Sequence, residues 1–272
     1  MRLITWNVNR RVSLLSAQAA ALATRSPDVV ALQEVTPRSW PLWRDALAAA
    51  GMQHAVCSLD GADPARTPAT RRRTGVVLAS REPLETAEPL AVPWPETTLA
   101  ARVGEVTVHT AHVPNAANGW TKPHTLAALR AGLAVTSGPR VLCGDFNTPR
   151  RESPDGSVIS FARDSRGRLR PERGEPWDAA ELGIVPGLRA LGFADAFRTV
   201  HGYADRSPSW VWSHGGGWRL DHIFASDLRV ESAAYHHAWR DDGLSDHSPL
   251  EADLGADQRP RAAAAAAATL GR

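Results

Sequence analysis

Between Arg140 and Pro149 an apolar run, Val141-Leu-Cys143, stops at Gly144 and opens into Asp145-Phe-Asn147. An apolar run closed by glycine and turn-forming residues reads as a buried strand emptying into a loop. Asp145 and Asn147 are two apart, so on extended chain they point the same way. In open α/β sheets, ligands lie outside the C-terminal ends of strands. A carboxylate beside an amide can take a proton from water and hold an oxygen of the group under attack. Taken alone, the triplet reads better as a turn with two Asx caps. Other strand ends change that balance.

Arg2 to Asn9 alternates partly and reads as the first strand, with Asn7 near its end. Asp28 to Val35 is a second apolar strand that Glu34 closes, and Thr74 to Ser80 is a third. Glu105 to Pro114 alternates, with His112 just before Val-Pro-Asn115. Pro208–Ser213 and Gly217–Ala225 read as a strand pair, with Asp221 in mid-strand. Leu228 to His237 is another strand, and Leu244-Ser-Asp-His-Ser-Pro249 is a polar loop entering the last. Helical spacing covers Val12–Arg25, with Ser13 as early cap, then Pro37–Ala50, Thr121–Thr136 and Trp177–Leu191, and Gly192–Phe197 starts a short helix. Arg150 to Pro176 is an arginine-rich insertion, in which Ser157–Arg170 can form a hairpin turning at Ser165-Arg-Gly167. Arg71-Arg72-Arg73 lies in a loop and reads as solvated, with phosphate contact as the alternative. Residues 1–254 form one domain, and 255–272 form a flexible alanine-rich tail with no apolar face to dock.

The chain has 272 residues, of which 43% are hydrophobic, enough for a sizeable core. No apolar run reaches membrane-spanning length, and the N-terminal stretch has no signal-type pattern, so the reading is a cytoplasmic protein without membrane partners. Cys57 and Cys143 alone make neither a disulfide scaffold nor a zinc cluster. The net charge of +2 says little about nucleic acid. Nearly all the basic residues are arginine, with Lys122 the single lysine, and arginine forks suit phosphate.

Asn7, Glu34, His112, Asp145 with Asn147, and Asp246 with His247 all stand near strand ends, and Asp221 joins them. Oxygen ligands without cysteine suit a hard cation, Mg²⁺ or Mn²⁺. Thr5-Trp-Asn-Val-Asn9, Leu32-Gln-Glu-Val35, Gly75-Val-Val-Leu, His112-Val-Pro-Asn115, Gly144-Asp-Phe-Asn147, Trp218-Arg-Leu-Asp-His222 and Ser245-Asp-His247 occur in one order across residues 3 to 254. In this the chain resembles the endonuclease/exonuclease/phosphatase family. The resemblance implies an α/β four-layer sandwich, two mixed sheets face to face with helices outside. It also implies phosphate-ester cleavage with a divalent metal.

On matching positions the resemblance makes Glu34 the main metal ligand, helped by Asn7 and Asp246. Asp145 would orient or deprotonate the attacking water, and Asn147 would hold a phosphate oxygen. His247 would stabilise the charge on phosphorus, oriented by Asp221, and His112 joins the catalytic set. Asn115, Trp218 and Arg219 would contact substrate. Trp218-Arg-Leu-Asp resembles abasic-site nucleases of the exonuclease III type. Val35-Thr36 after Gln-Glu, and His112 where that branch commonly has Tyr, are at home in the DNase I-like and phosphatase branches. The expectation is a monomeric metal-dependent phosphodiesterase acting on DNA. The alternatives are a phosphatase or phosphodiesterase for a small molecule or lipid headgroup, and a dead binding module on the same fold.

Overall fold

A computed structural model describes residues 1–61 and 73–256; Arg71, Arg72 and residues 257–272 of the expected tail lie outside the described residues. In chain order come β1 (Arg2–Asn7), α1 (Leu15–Arg25), β2 (Val29–Val35), α2 (Trp40–Ala49), β3 (His54–Cys57) and β4 (Gly75–Ser80). Next are β5 (Leu84–Ala87), β6 (Thr98–Val103), β7 (Val106–His112), α3 (Thr121–Ala134) and β8 (Arg140–Asp145). The second half adds β9 (Arg151–Glu152), β10 (Val158–Ile159), α4 (Gly174–Ile184), β11 (Ala194–Asp195) and α5 (Ala196–His201). Last come β12 (Trp210–Val211), β13 (Gly217–Trp218), β14 (Asp221–Ser226), β15 (Leu228–Tyr235), α6 (His237–Asp241) and β16 (Leu250–Ala256).

Twelve of the strands form two six-stranded sheets, ordered β15-β16-β1-β2-β4-β3 and β11-β14-β8-β7-β6-β5. Each is mixed, with one parallel pair, β1–β2 in the first and β7–β8 in the second. Alternation along the strands explains the layering. Leu3, Ala31, Val108, Val141, Cys143 and Ile223 face inward and pack the two sheets together. The opposite faces carry Ile4, Trp6, Val30 and Leu32 against α1 and α2, and Leu142 and Phe224 against α3 and α4. The result is the expected sandwich of helix, sheet, sheet and helix. No helix among the described residues is long and apolar enough to cross a membrane.

Several boundaries differ from the periodicity. Helix α1 starts at Leu15 and its first turn takes no side-chain cap, so Ser13 does not serve as one. The stretch 177–191 splits, because Pro186 cannot continue α4 and a 3₁₀ turn follows at Gly187–Leu191. Asp195 ends β11 and caps α5 through the Arg198 backbone N–H at 3.1 Å. Strands β3 and β5, four residues each, fall in stretches without alternation. In the insertion, β9 pairs with β10, and a further bridge joins Arg163 to Leu169, so two small hairpins replace the expected one.

A buried ion network ties the insertion to the second sheet. Glu152 of β9 accepts from Arg198 at 2.7 Å and from Arg219 at 2.7 and 2.8 Å, while Arg219 also donates to Asp195 at 2.7 Å. Burial would raise the Glu152 carboxyl, but Arg219 and Arg198 override it and hold it at about 2. Asp195, beside Arg219, is likewise held below the usual carboxylate range against burial. A carboxylate depressed on folding contributes stability above its unfolded pKa, near 4.5, and loses it as pH falls towards 2. Thermal stability is therefore expected to fall steeply from pH 4.5 downward, and less steeply in Glu152→Gln. Parallel pH profiles for the two proteins would remove Glu152 from the account.

Candidate active site

The inward rows of the two sheets end in polar side chains at one edge of the sandwich. Asn7 ends β1. Glu34 sits next to last in β2, at φ +60°, where the register to β4 slips. His112 and Asp145 end the parallel pair β7–β8 as register partners, and Asp221 opens β14 directly opposite Asp145. Asp221 is thus the first residue of its strand rather than mid-strand. His247 comes from the loop before β16. Its carbonyl accepts from the Trp6 indole at 3.0 Å, and Ser245 donates to the Asn7 carbonyl at 2.6 Å.

Asn7 Nδ2 bridges two carboxylates, Asp145 Oδ2 at 3.0 Å and Glu34 Oε1 at 3.3 Å, while its oxygen accepts from the Asn9 N–H. His112 Nε2 lies 3.7 Å from Glu34 Oε1 and 3.8 Å from Asp145 Oδ2. Arg10 Nε stands 2.8 Å from Glu34 Oε2. His247 Nδ1 meets Asp221 Oδ2 at 2.8 Å, and its Nε2 is 3.8 Å from Asp145 Oδ2. Burial disfavours a charged imidazole, but Asp221 and then Asp145 prevail and push His247 up to about 10. His247 is therefore a cation at neutral pH, held by Asp221. Burial and the neighbouring Asp221 raise the Asp145 carboxyl against the pull of His247.

The loop after β8 turns back at once. Asn147 takes φ +51°, its N–H caps Asp145 Oδ1 at 2.9 Å, and its Nδ2 donates to the Val113 carbonyl at 2.9 Å. One amide hydrogen of Asn147 remains for the cleft that it lines. Asp246 is exposed at that cleft and accepts from the Trp210 indole at 3.3 Å. Asn115 lines it too and caps the short 3₁₀ turn at Ala116–Asn118. Trp218 stacks on Trp210 at 5.3 Å and meets the Phe161 ring edge-on at 4.8 Å, which makes an aromatic wall.

Arg219 is a correction. Its guanidinium is buried among Glu152 and Asp195, so it has no free fork for substrate. The insertion arginines also divide: Arg163 is bound by Asp178 and Arg168 by Asp164, whereas Arg150, Arg170 and Arg173 line the cleft. Motif reading passed over the Lys122–Glu181 pair. Lys122 is fully buried, and its Nζ donates to the Asn147 carbonyl and to Glu181 Oε1, each at 2.7 Å. Glu181 also accepts from Thr148, the Phe161 N–H and the Trp177 indole, all at 2.7 Å. This buried pair fixes the turn that carries Asn147. Its one sequence signal was that Lys122 is the only lysine in an arginine-rich chain.

The donor set fits a divalent cation. Asp145, Asp221 and His247 offer ligand atoms within 4.8 Å of one another. Within this group His247 Nδ1 and Asp221 Oδ2 are already joined by a hydrogen bond. Glu34 Oε2 is buried and accepts no hydrogen bond despite its ion pair with Arg10, and Glu34 lines the cleft. Hard oxygen donors of this kind favour Mg²⁺-like ions.

The sequence matches the family model of the endonuclease/exonuclease/phosphatase family over residues 4–247. No curated protein matches it significantly. Among solved structures, an AP endonuclease from Archaeoglobus fulgidus superposes with a TM-score of 0.70 at 24% identity, covering 93% of this chain and 99% of that one. A 3′ phosphatase from Neisseria, bound to a product DNA hairpin, superposes with a TM-score of 0.65 at 25% identity over 93% and 99% of the two chains. A 3′–5′ exonuclease from Neisseria meningitidis gives 0.65 at 24% identity over 94% and 100%. The match across the strand ends that build the site makes this chain a member of the endonuclease/exonuclease/phosphatase family, and thus a phosphoric ester hydrolase.

Proposed function

We propose that the protein is a divalent-metal-dependent phosphodiesterase acting on DNA. The observation that carries this reading is the cleft over Asp145 and His247, about 710 Å³ in volume. Arg10, Arg150, Arg170 and Arg173 line it together with Trp94, Trp210 and Trp218. Guanidinium groups suit phosphate, and flat aromatic faces suit sugars and bases. The Neisseria 3′ phosphatase bound to its DNA product supports the same substrate class.

Glu34, with Asn7 and Asp246, would hold the cation, which supplies positive charge to a phosphate oxygen. Asp145 accepts the proton of the attacking water. His247, cationic and oriented by Asp221, faces the charge that gathers on the phosphoryl oxygens. The remaining amide hydrogen of Asn147 donates to one of them.

The test is the purified protein with Mg²⁺ or Mn²⁺ against plasmid, abasic duplex, 3′-phosphorylated oligonucleotide and a panel of small phosphomonoesters. Cleavage of DNA that a chelator removes is expected. Glu34→Gln should abolish it and weaken Mg²⁺ binding in calorimetry, since a neutral amide is a poor ligand for a hard cation. Turnover confined to the small esters would move the protein to the small-molecule branch, and unchanged Mg²⁺ affinity would take Glu34 off the ligand set.

A further inference from the structure

Beside the catalytic cleft is a second hollow, of about 90 Å³, which shares Arg150 and Trp218 with it. Arg150, Arg151, Arg198, Arg206 and Arg219 line it, with Glu152 as the only acid. The charges separate into two groups. Arg198 and Arg219 are spent on Glu152 and Asp195 in the buried network. The side chains of Arg150, Arg151 and Arg206 make no ion pair or hydrogen bond among the described residues. Arg151 and Arg206 are exposed, and Arg150 is half-buried. The nearby acid Asp205 is turned to the Ser207 N–H at 2.8 Å. Three arginines that make no ion pair among the described residues therefore line a hollow of about the size of a phosphate group.

We propose that Arg150, Arg151 and Arg206 form a second phosphate subsite, which grips a phosphodiester of the same DNA strand beside the one that is cleaved. The inference rests on the DNA reading given above. Planar guanidinium forks bind phosphate oxygens in pairs. Because Arg150 and Trp218 line both the hollow and the cleft, the two lie side by side, and a strand seated on the catalytic carboxylates reaches the hollow with its neighbouring phosphate. A substrate that ends at the scissile phosphate leaves the subsite empty. Chain length, rather than base identity, is then what the subsite selects.

Arg151 and Arg206 test the proposal, since both are exposed and neither touches the catalytic groups. Binding of a short labelled single-stranded DNA is followed by fluorescence anisotropy in chelator, between roughly 50 and 200 mM salt. In the double variant Arg151→Gln/Arg206→Gln the log–log salt slope should flatten by about 0.7 for each lost contact. With metal restored, the ratio of kcat/KM for the oligonucleotide to that for a small chromogenic phosphodiester should fall about tenfold at physiological salt. Arg151→Lys/Arg206→Lys should keep the wild-type slope, because charge governs counterion release. Equal slopes for wild type and the Gln variant, or no DNA binding by wild type, would overturn the subsite whatever the protein cleaves. A slope difference in a protein that hydrolyses only small esters would leave the subsite standing and overturn the nuclease reading.

Discussion

Turnover is expected to fall by about a hundredfold or more in both His247→Ala and Asp145→Asn, with KM much less affected. The two side chains are nearly inaccessible, 6% and 2% exposed, so they offer little surface for holding a substrate in its ground state. On the proposed mechanism they provide charge and a proton acceptor where the reaction develops them. His247→Ala removes a cation and leaves Asp221 buried without its 2.8 Å partner. Asp145→Asn keeps the shape but cannot take a proton. An Asp221→Asn variant separates orientation from charge: it leaves His247 in place while removing the carboxylate that keeps it cationic, so its activity should fall as pH rises where that of wild type does not. Wild-type turnover in either single variant would refute the assignment, and a loss confined to KM would make these groups binding residues.

Gly144→Ala should unfold the protein at markedly lower denaturant, with a loss of about 3 kcal/mol or more. Gly144 has φ +136°, a conformation closed to alanine, and a Cβ there would lie 1.9 Å from the Ala111 carbonyl oxygen. The obstacle is backbone on the paired strand, so no side chain can swing aside. Relief requires parting β7 from β8 one residue before His112 and Asp145, which would spread the carboxylates apart. Gly104→Ala is the control: φ is +55° there, but nothing lies within 4 Å, so only the backbone cost of about 1 kcal/mol applies. Equal denaturation midpoints for the two variants would show that close approach is not what requires glycine at 144.

The strand ends were legible because each joins an apolar run to an abrupt polar stop, and that contrast survives without knowledge of the pairing. Asp145 and Asp221 could be named separately, but only the antiparallel register of β8 and β14 sets them opposite one another. Arg219 was misread from its neighbours. Alternation alone argues otherwise, since Trp218 and Leu220 line the cleft and the residue between them must face away. Lys122 and Glu181 are 59 positions apart and meet only after α3 and α4 pack. No local pattern announces such a pair. In the insertion, local composition marked positive charge correctly but could not tell Arg163, bound to Asp178, from Arg150, which has no ion pair among the described residues. Strands β3 and β5 went unseen because edge strands of four residues have too few alternations to register.

The first strand carries Asn7, yet the residues that complete its surroundings arrive last. Trp6 reaches His247 across 241 positions, and β16 pairs with β1 on the edge that β2 leaves open. A chain emerging from the ribosome would thus display β1 with one edge bare, and with Glu34, His112 and Asp145 already made but unassembled, until synthesis passes residue 250. On the proposed mechanism, nascent protein is catalytically silent until His247 has been made and seated. Closure of that one seam is the step expected to bring His247 onto the carboxylates, which ties the onset of activity to strand order.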